Sequence, residues 1–83
     1  MKILAIIALA LGLSATAAVA GPVTHDQARN IQAAIVAQDC YGGEMETESG
    51  GNVAFEVEDA VCPDGVFDFK LDRDFNILSR TKS

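Results

Sequence analysis

The most constraining feature of this sequence is the apolar segment at its start, because it limits how much chain is left to fold. Sixteen of the first 20 residues are apolar, and Lys2 is followed by an uncharged run at 3–13. A run of about 11 residues is too short to cross a bilayer as a helix, which needs about 20. It is typical of a secretory signal peptide. We therefore predict a signal peptide at 1–20, no membrane association after its removal, and a periplasmic or secreted domain at 21–83.

Two cleavage sites fit the small residues that follow the apolar run. Ala18 and Ala20 form an Ala-x-Ala site that predicts cleavage after Ala20, and Ala15-Thr16-Ala17 offers a second site three residues earlier. No cysteine lies near either site, which argues against a lipid-anchored lipoprotein.

The 63 residues after the predicted cleavage site form a small and strongly acidic chain. They carry 12 carboxylate side chains and five basic ones, a net charge near −7. A domain of this length buries only about 60% of its unfolded surface, which is little for a catalytic cleft. Its charge would repel nucleic-acid phosphates. We expect one monomeric domain with no nucleic-acid partner.

Cys40 and Cys62 are the only cysteines of the chain. In an exported protein such a pair predicts a disulfide. The bond would close a loop of 23 residues counting both cysteines. By the chain-entropy argument this contributes roughly 3 kcal/mol to the free energy of unfolding. The spacing is not Cys-x-x-Cys and no histidine cluster lies nearby, so neither a redox pair nor a zinc site is indicated.

A single helix is predicted at the start of the mature chain. Thr24 and Gln27 have the spacing of a capping box, which predicts a helix from about His25 to Asp39. Gly42-Gly43 follows and is expected to end it. A narrow apolar stripe runs along this segment at three- and four-residue spacing: Ala28, Ile31, Ala34, Ile35 and Gln38.

After the two glycines the apolar period changes from 3.6 to two, which is typical of strands with one buried face. Strands are predicted at 44–48, 53–58, 66–71 and 77–80, and Pro63-Asp64-Gly65 predicts a turn. Short connections favour an antiparallel meander. The fold is therefore expected to be α+β, one N-terminal helix packed on a three- to four-stranded antiparallel sheet. The expected core residues are Ile31, Ile35, Met45, Val53, Phe55, Val57, Phe67, Phe69, Leu71 and Ile77.

The same alternation predicts an acidic face on the first two of these strands. Its members are Glu44, Glu46, Glu48, Glu56 and Glu58. Keeping both apolar sets on one face requires the numbers of paired residues to sum to an even value, and a two-residue Gly50-Gly51 turn would break this rule. A longer loop or a bulge is implied. If the paired numbers sum to 102, Glu46 lies opposite Glu56 and Glu44 opposite Glu58. If they sum to 100, Glu44 lies opposite Glu56. Either register brings like charges together, which is mildly destabilising.

One further pattern joins the predicted helix and strands: Thr24 and Ala28 in the helix, Phe55 and Val57 in the middle strand, and Leu71, Asp72 and Ile77 in the closing hairpin. In this order the residues resemble the PepSY domain, over essentially the whole mature chain. Asn76 stands where that family usually has glycine, and asparagine tolerates a positive φ. The cysteine pair is not part of the general pattern and suggests a secreted subgroup. The resemblance implies a non-catalytic module proposed to inhibit or regulate peptidases.

The residues that could support catalysis or metal binding do not form a known pattern. His25 is the single histidine and has no visible catalytic partner, and no Gly-x-Ser-x-Gly motif occurs. Asp72-x-Asp74-x-Asn76 begins like an EF-hand loop, but Ile77 replaces the required glycine and Ser83 the final glutamate. We expect no enzyme activity and no cofactor, and a turn at 72–76.

Two functions from different classes follow. The first is a protein-binding module that restrains a peptidase or another envelope protein. The second is an acidic protein that binds a divalent cation such as calcium, which would offset the repulsion between opposed glutamates. The expected partner-binding residues are the five glutamates of the acidic face and Phe75, which at a hairpin tip either anchors a partner or tucks under the helix end.

Overall fold

A computed structural model describes residues 20–83. The predicted signal peptide lies outside the described residues apart from Ala20, so it stays a prediction. The elements are β1 (Ala20–Pro22), α1 (His25–Val36), β2 (Glu44–Gly50), β3 (Val53–Cys62), β4 (Gly65–Leu71) and β5 (Ile77–Lys82). In this part of the chain no helix is both long enough and apolar enough to span a bilayer.

The five strands form one antiparallel sheet in chain order, and α1 packs on one of its faces. This confirms the α+β class and the meander. The prediction of three to four strands was too low because β1, only three residues long, precedes the helix. A segment as short as Ala20–Pro22 shows no alternation in the sequence. It forms a strand through its pairing with β2, where Gly21 lies opposite Thr47.

The N-terminus of α1 is closed by the predicted capping box. The Gln27 backbone N–H donates to the Thr24 hydroxyl at 3.1 Å, and the Gln27 side-chain oxygen accepts from the Thr24 backbone N–H at 2.9 Å. These two bonds satisfy backbone donors that a helix start leaves free.

The C-terminus of α1 lies earlier than the predicted Asp39. The backbone N–H groups of Asp39 and Cys40 donate to Val36 and Ile35, at 2.8 and 3.0 Å, and Asp39 has φ 63°. This bond pattern around a left-handed residue is the Schellman motif, which ends a helix. The left-handed conformation of Asp39 therefore ends the helix. The prediction that Gly42-Gly43 ends it was wrong.

The core lies between α1 and the sheet. Its fully or nearly buried members are Ile31, Ile35, Cys40, Phe55, Val57, Ala60, Cys62, Phe69 and Leu71. Met45, Phe67 and Ile77 pack at its edge, and Val53 is half-buried beside the β2–β3 turn. The predicted disulfide between Cys40 and Cys62 is present. It ties the segment after α1 to the last residue of β3.

A bulge in β3 changes which residues of that strand face the core. Val57 pairs with Phe69 and Ala60 with Phe67, so the register shifts between them, and Asp59 takes φ 63°. Even-numbered residues face the helix after the bulge, whereas odd-numbered ones do before it. This explains why the strict alternation did not predict Ala60 as a core residue.

Candidate functional site

The face of the sheet opposite α1, which we call the open face, carries the predicted acidic residues. Glu44 pairs with Glu58, and Glu46 with Glu56. This is the register with a sum of 102. It is compatible with the turn at 51–52 because the register shifts between Thr47 and Gly50, so the expected irregularity is present. This register keeps the apolar side chains of β2 and β3 on the face under the helix. It also places glutamates of like charge opposite one another.

Lys70 on β4 is the basic residue that faces this row. Its Nζ lies 3.6 Å from a carboxylate oxygen of Glu48 and 3.6 Å from one of Glu56. The Glu48 oxygen that faces Lys70 is buried and accepts no hydrogen bond from the described residues. A partly exposed ion pair at this distance contributes little to stability, so Lys70 mainly offsets the charge of these two glutamates.

The other three glutamates form what we call the carboxylate cluster: Glu44, Glu46 and Glu58. Oxygens of the three lie within 4.8 Å of one another. Among the described residues no basic side chain pairs with any of them. The nearby carboxylates of Glu56 and then Glu46 raise the pKa of Glu58. The cluster is thus a concentration of negative charge that the domain itself does not neutralise.

Asp68 on β4 lies on the same face but has a structural role. Its carboxylate accepts from the backbone N–H of Asp59 at 3.0 Å and from the Ser83 hydroxyl at 2.8 Å. These bonds hold the pKa of Asp68 below its usual value. Asp68 therefore holds the β3 bulge in place.

Phe75, predicted as a possible partner anchor, lies at the β4–β5 turn with φ 66° and is half-buried. Its ring stacks on Phe55, with centroids 5.1 Å apart and an angle of 7° between planes. A ring packed on the core in this way has little apolar surface left for a partner, so we no longer place Phe75 in the binding surface.

The Asp72-x-Asp74-x-Asn76 segment is the expected turn. The Asp72 carboxylate accepts from the backbone N–H groups of Asp74 and Asn76, at 2.8 and 2.9 Å, and from the Asn76 side-chain amide at 3.2 Å. The Asn76 backbone bond contributes most to lowering the pKa of Asp72. These bonds involve both carboxylate oxygens of Asp72 and stabilise the turn between β4 and β5.

Three exposed apolar residues on the open face were missed by the sequence analysis. Tyr41 bridges to Val61, and Val61 pairs with Val66, so the three lie in one line across the sheet. Their exposed fractions are 62%, 45% and 39%. We call them the apolar row. The β3 bulge turns Val61 outward, and Tyr41 was predicted in neither the helix, which ended at Asp39, nor a strand.

No family model, no curated protein and no solved structure matches this chain. The PepSY resemblance therefore stays a prediction, and the functional argument rests on the geometry of the open face.

Proposed function

We propose that this domain is a non-enzymatic protein-binding module that acts outside the cytoplasm. In this proposal the open face docks a basic surface of a peptidase or another envelope protein and restrains it. The observation that carries the proposal is the carboxylate cluster, three glutamates within 4.8 Å with no basic partner among the described residues. A basic surface would relieve the repulsion that raises the pKa of Glu58.

Two further features support binding over catalysis. His25 is exposed at the first residue of α1, on the helix and away from the open face. The disulfide between Cys40 and Cys62 suits an oxidising compartment, where small domains often depend on such bonds. The PepSY resemblance adds the expectation that a peptidase is the restrained partner.

The first experiment locates the docking face. A photo-crosslinking residue is placed at Thr81, which is exposed and pairs with Asp68 on the open face, and separately at Ala33, which is exposed on α1. We expect adducts from position 81 and none from position 33 in the native envelope fraction. Adducts from the helix position alone would contradict the proposal.

The second experiment tests the charge. The captured partner is purified, and its association rate is measured against salt for the wild type and for Glu46→Gln with Glu58→Gln. Asp26→Asn with Asp74→Asn removes the same charge elsewhere and is the control. We expect association to slow steeply with salt, and to slow in the cluster variant more than in the control. Equal rates in the two variants would refute docking on the cluster. If the partner is a peptidase, adding the domain should lower its activity.

Binding of a divalent cation is the second candidate function, favoured by the same spacing of carboxylate oxygens. Calcium prefers six to eight oxygen ligands, and three side chains on a flat sheet supply few of them. If calcium is the ligand, millimolar calcium raises the melting temperature of the wild type and not that of Glu46→Gln with Glu58→Gln. An unchanged melting temperature in the wild type would exclude this function.

A further inference from the structure

The apolar row and the carboxylate cluster lie side by side on the open face. The Tyr41–Val61 bridge continues the register of the Glu44–Glu58 pair, with the same sum of residue numbers. Along β3 only Asp59 and Ala60 separate Val61 from Glu58, and because of the bulge these positions span about two residues of the neighbouring strand β4, roughly 7 Å. A partner that covers one group therefore reaches the other.

No side chain of β2 stands between the two groups. The chain passes from Tyr41 to Glu44 through Gly42 and Gly43, and a Cβ built on Gly42 would have no atom within 4 Å. On the side of Gly42 and Gly43 the surface between them is backbone, and on β4 the carboxylate of Asp68 lies on the same face, two residues from Val66. This makes the two groups accessible as one continuous surface.

The apolar row is unusual for a domain of this size because its three members adjoin one another. Single exposed apolar residues are common on protein surfaces, whereas contiguous ones mark contact sites more often. The disulfide fixes the geometry here, since Cys40 and Cys62 flank the bridged residues Tyr41 and Val61 directly. The row is thus held rigid, which lowers the entropy cost of binding.

We propose that the carboxylate cluster and the apolar row form one composite site, and that its occupant is a basic segment of another protein. The segment carries a lysine or arginine over the cluster and a large apolar side chain over the row, two positions away in extended conformation, so that both side chains lie on the same side of the segment. This inference rests on the proposed function and adds the chemistry of the partner.

A second copy of this chain does not supply such a segment. Among the described residues Lys70 pairs with Glu48 and Glu56, Arg29 with Asp26 and Arg80 with Asp64, and Lys82 donates to the Asp64 carbonyl. Arg73 forms no ion pair with any residue that the structure describes, but it lies in the β4–β5 turn between Asp72 and Asp74, whose charges oppose its approach to a carboxylate cluster. Copies of this domain, each with a net charge near −7, would also repel each other. The charge of the open face therefore favours a different, basic protein.

The test uses three synthetic peptides with blocked ends and the protein purified after expression of the full chain. The first peptide is Ser-Lys-Ser-Lys-Ser-Trp-Ser-Ser, in which the lysines and the tryptophan lie on one side of the extended chain. The second replaces tryptophan with serine, and the third replaces both lysines with glutamate. Affinity and the shifted backbone amides are measured by NMR titration at low salt.

We expect the tryptophan peptide to bind about tenfold more tightly than the serine peptide, because the indole covers part of the apolar row. Both should shift the amides of Glu44, Glu46 and Glu58, and only the first those of Tyr41, Val61 and Val66. The glutamate peptide should not bind.

A matched pair of variants tests the row itself. Val61→Thr should remove most of the tenfold advantage of the tryptophan peptide and leave the serine peptide unchanged. Val36→Thr makes the same change on α1, where Val36 is 52% exposed, and should leave both affinities unchanged. The melting temperatures of both variants show whether each is folded.

The outcomes separate this inference from the proposed function. If the two lysine peptides bind with equal affinity and shift only the backbone amides of the carboxylate cluster, the composite site is wrong. The proposal that basic partners dock on the cluster then stands. If neither shifts the cluster, both proposals are wrong. If the tryptophan advantage persists in Val61→Thr at full size, the apolar anchor lies elsewhere and the composite site is refuted.

Discussion

The two faces of the sheet differ in almost every physical property. The face under α1 holds Phe55, Val57, Phe69 and Leu71, each at most 5% exposed. The open face holds five glutamates, one lysine and the exposed apolar row. Neighbouring residues of the same strands belong to these opposite environments because side chains alternate across a strand.

Under the proposed function the two faces of this small domain have separate roles. Burial of apolar side chains on the covered face stabilises the fold. The opposed glutamates of the open face repel one another and so do not stabilise it, which is compatible with a role in binding. Changes on the covered face should therefore lower stability, and changes on the open face should alter binding while leaving the fold intact. The following predictions test that separation.

The largest contrast is expected within β4 itself. Phe69→Ala should lower the free energy of unfolding by about 4 kcal/mol, because Phe69 is fully buried and alanine leaves a cavity. Val66→Ala, on the open face of the same strand, should cost under about 1 kcal/mol. Urea denaturation measures both, and Phe69→Leu serves if the alanine variant does not fold. Similar losses at both positions would contradict the division between the faces.

Removing the disulfide should have the next largest effect. Cys40→Ala with Cys62→Ala should lower the free energy of unfolding by about 3 kcal/mol, since the bond closes a loop with a sequence separation of 22 residues. Reduction of the wild type should act in the same direction. The check is denaturation with and without reductant, together with free-thiol labelling of the native protein. Two reactive thiols in the native state would disprove the bond.

Gly43 and Gly42 offer a matched pair where the chain enters β2. Both have positive φ, so alanine at either is strained, but a Cβ at Gly43 would also lie 2.7 Å from Val57 and 2.8 Å from the Glu58 carbonyl. Gly43→Ala should therefore cost about 2–3 kcal/mol and Gly42→Ala about 1 kcal/mol. Equal melting temperatures for the two variants would show that the covered face is less tightly packed here than the structure indicates.

The smallest effect concerns Glu58, and its sign is opposite to the others. Because neighbouring carboxylates raise the pKa of Glu58 in the folded protein, folding is favoured below the unfolded pKa, and this contribution is lost as the pH rises through the folded pKa. Glu58→Gln should raise the melting temperature by about 1–2 °C at pH 7.

The gain from Glu58→Gln should shrink as the pH falls below the ordinary pKa of glutamate, because the wild-type carboxylate is then protonated in both the folded and the unfolded state. Asp26→Asn is the control, because Asp26 lies on α1 in an ion pair with Arg29 and should gain nothing at pH 7. A destabilised Glu58→Gln variant at pH 7 would show that the charge on the open face is compensated.

Local patterns in the sequence were sufficient for much of the fold. The capping box at Thr24, the α+β class, the strand cores and the pairing of Cys40 with Cys62 were predicted from short-range features, and the structure contains them. Each depends on the chemistry of a few adjacent residues or, for the disulfide, on there being only two cysteines. The acidic face was also predicted, because alternation alone places the glutamates opposite the apolar set.

The sequence by itself thus determined which residues are apolar, which are charged and where the chain turns. Only the tertiary structure decided between the two registers of β2 and β3, paired β1 with β2, and stacked Phe75 on Phe55. It also decided the apolar row, because one bulge at Asp59 reverses the facing of β3 and brings Val61 beside Tyr41. The physical reason is that bulges and register depend on pairing between distant segments, whose geometry no local pattern contains.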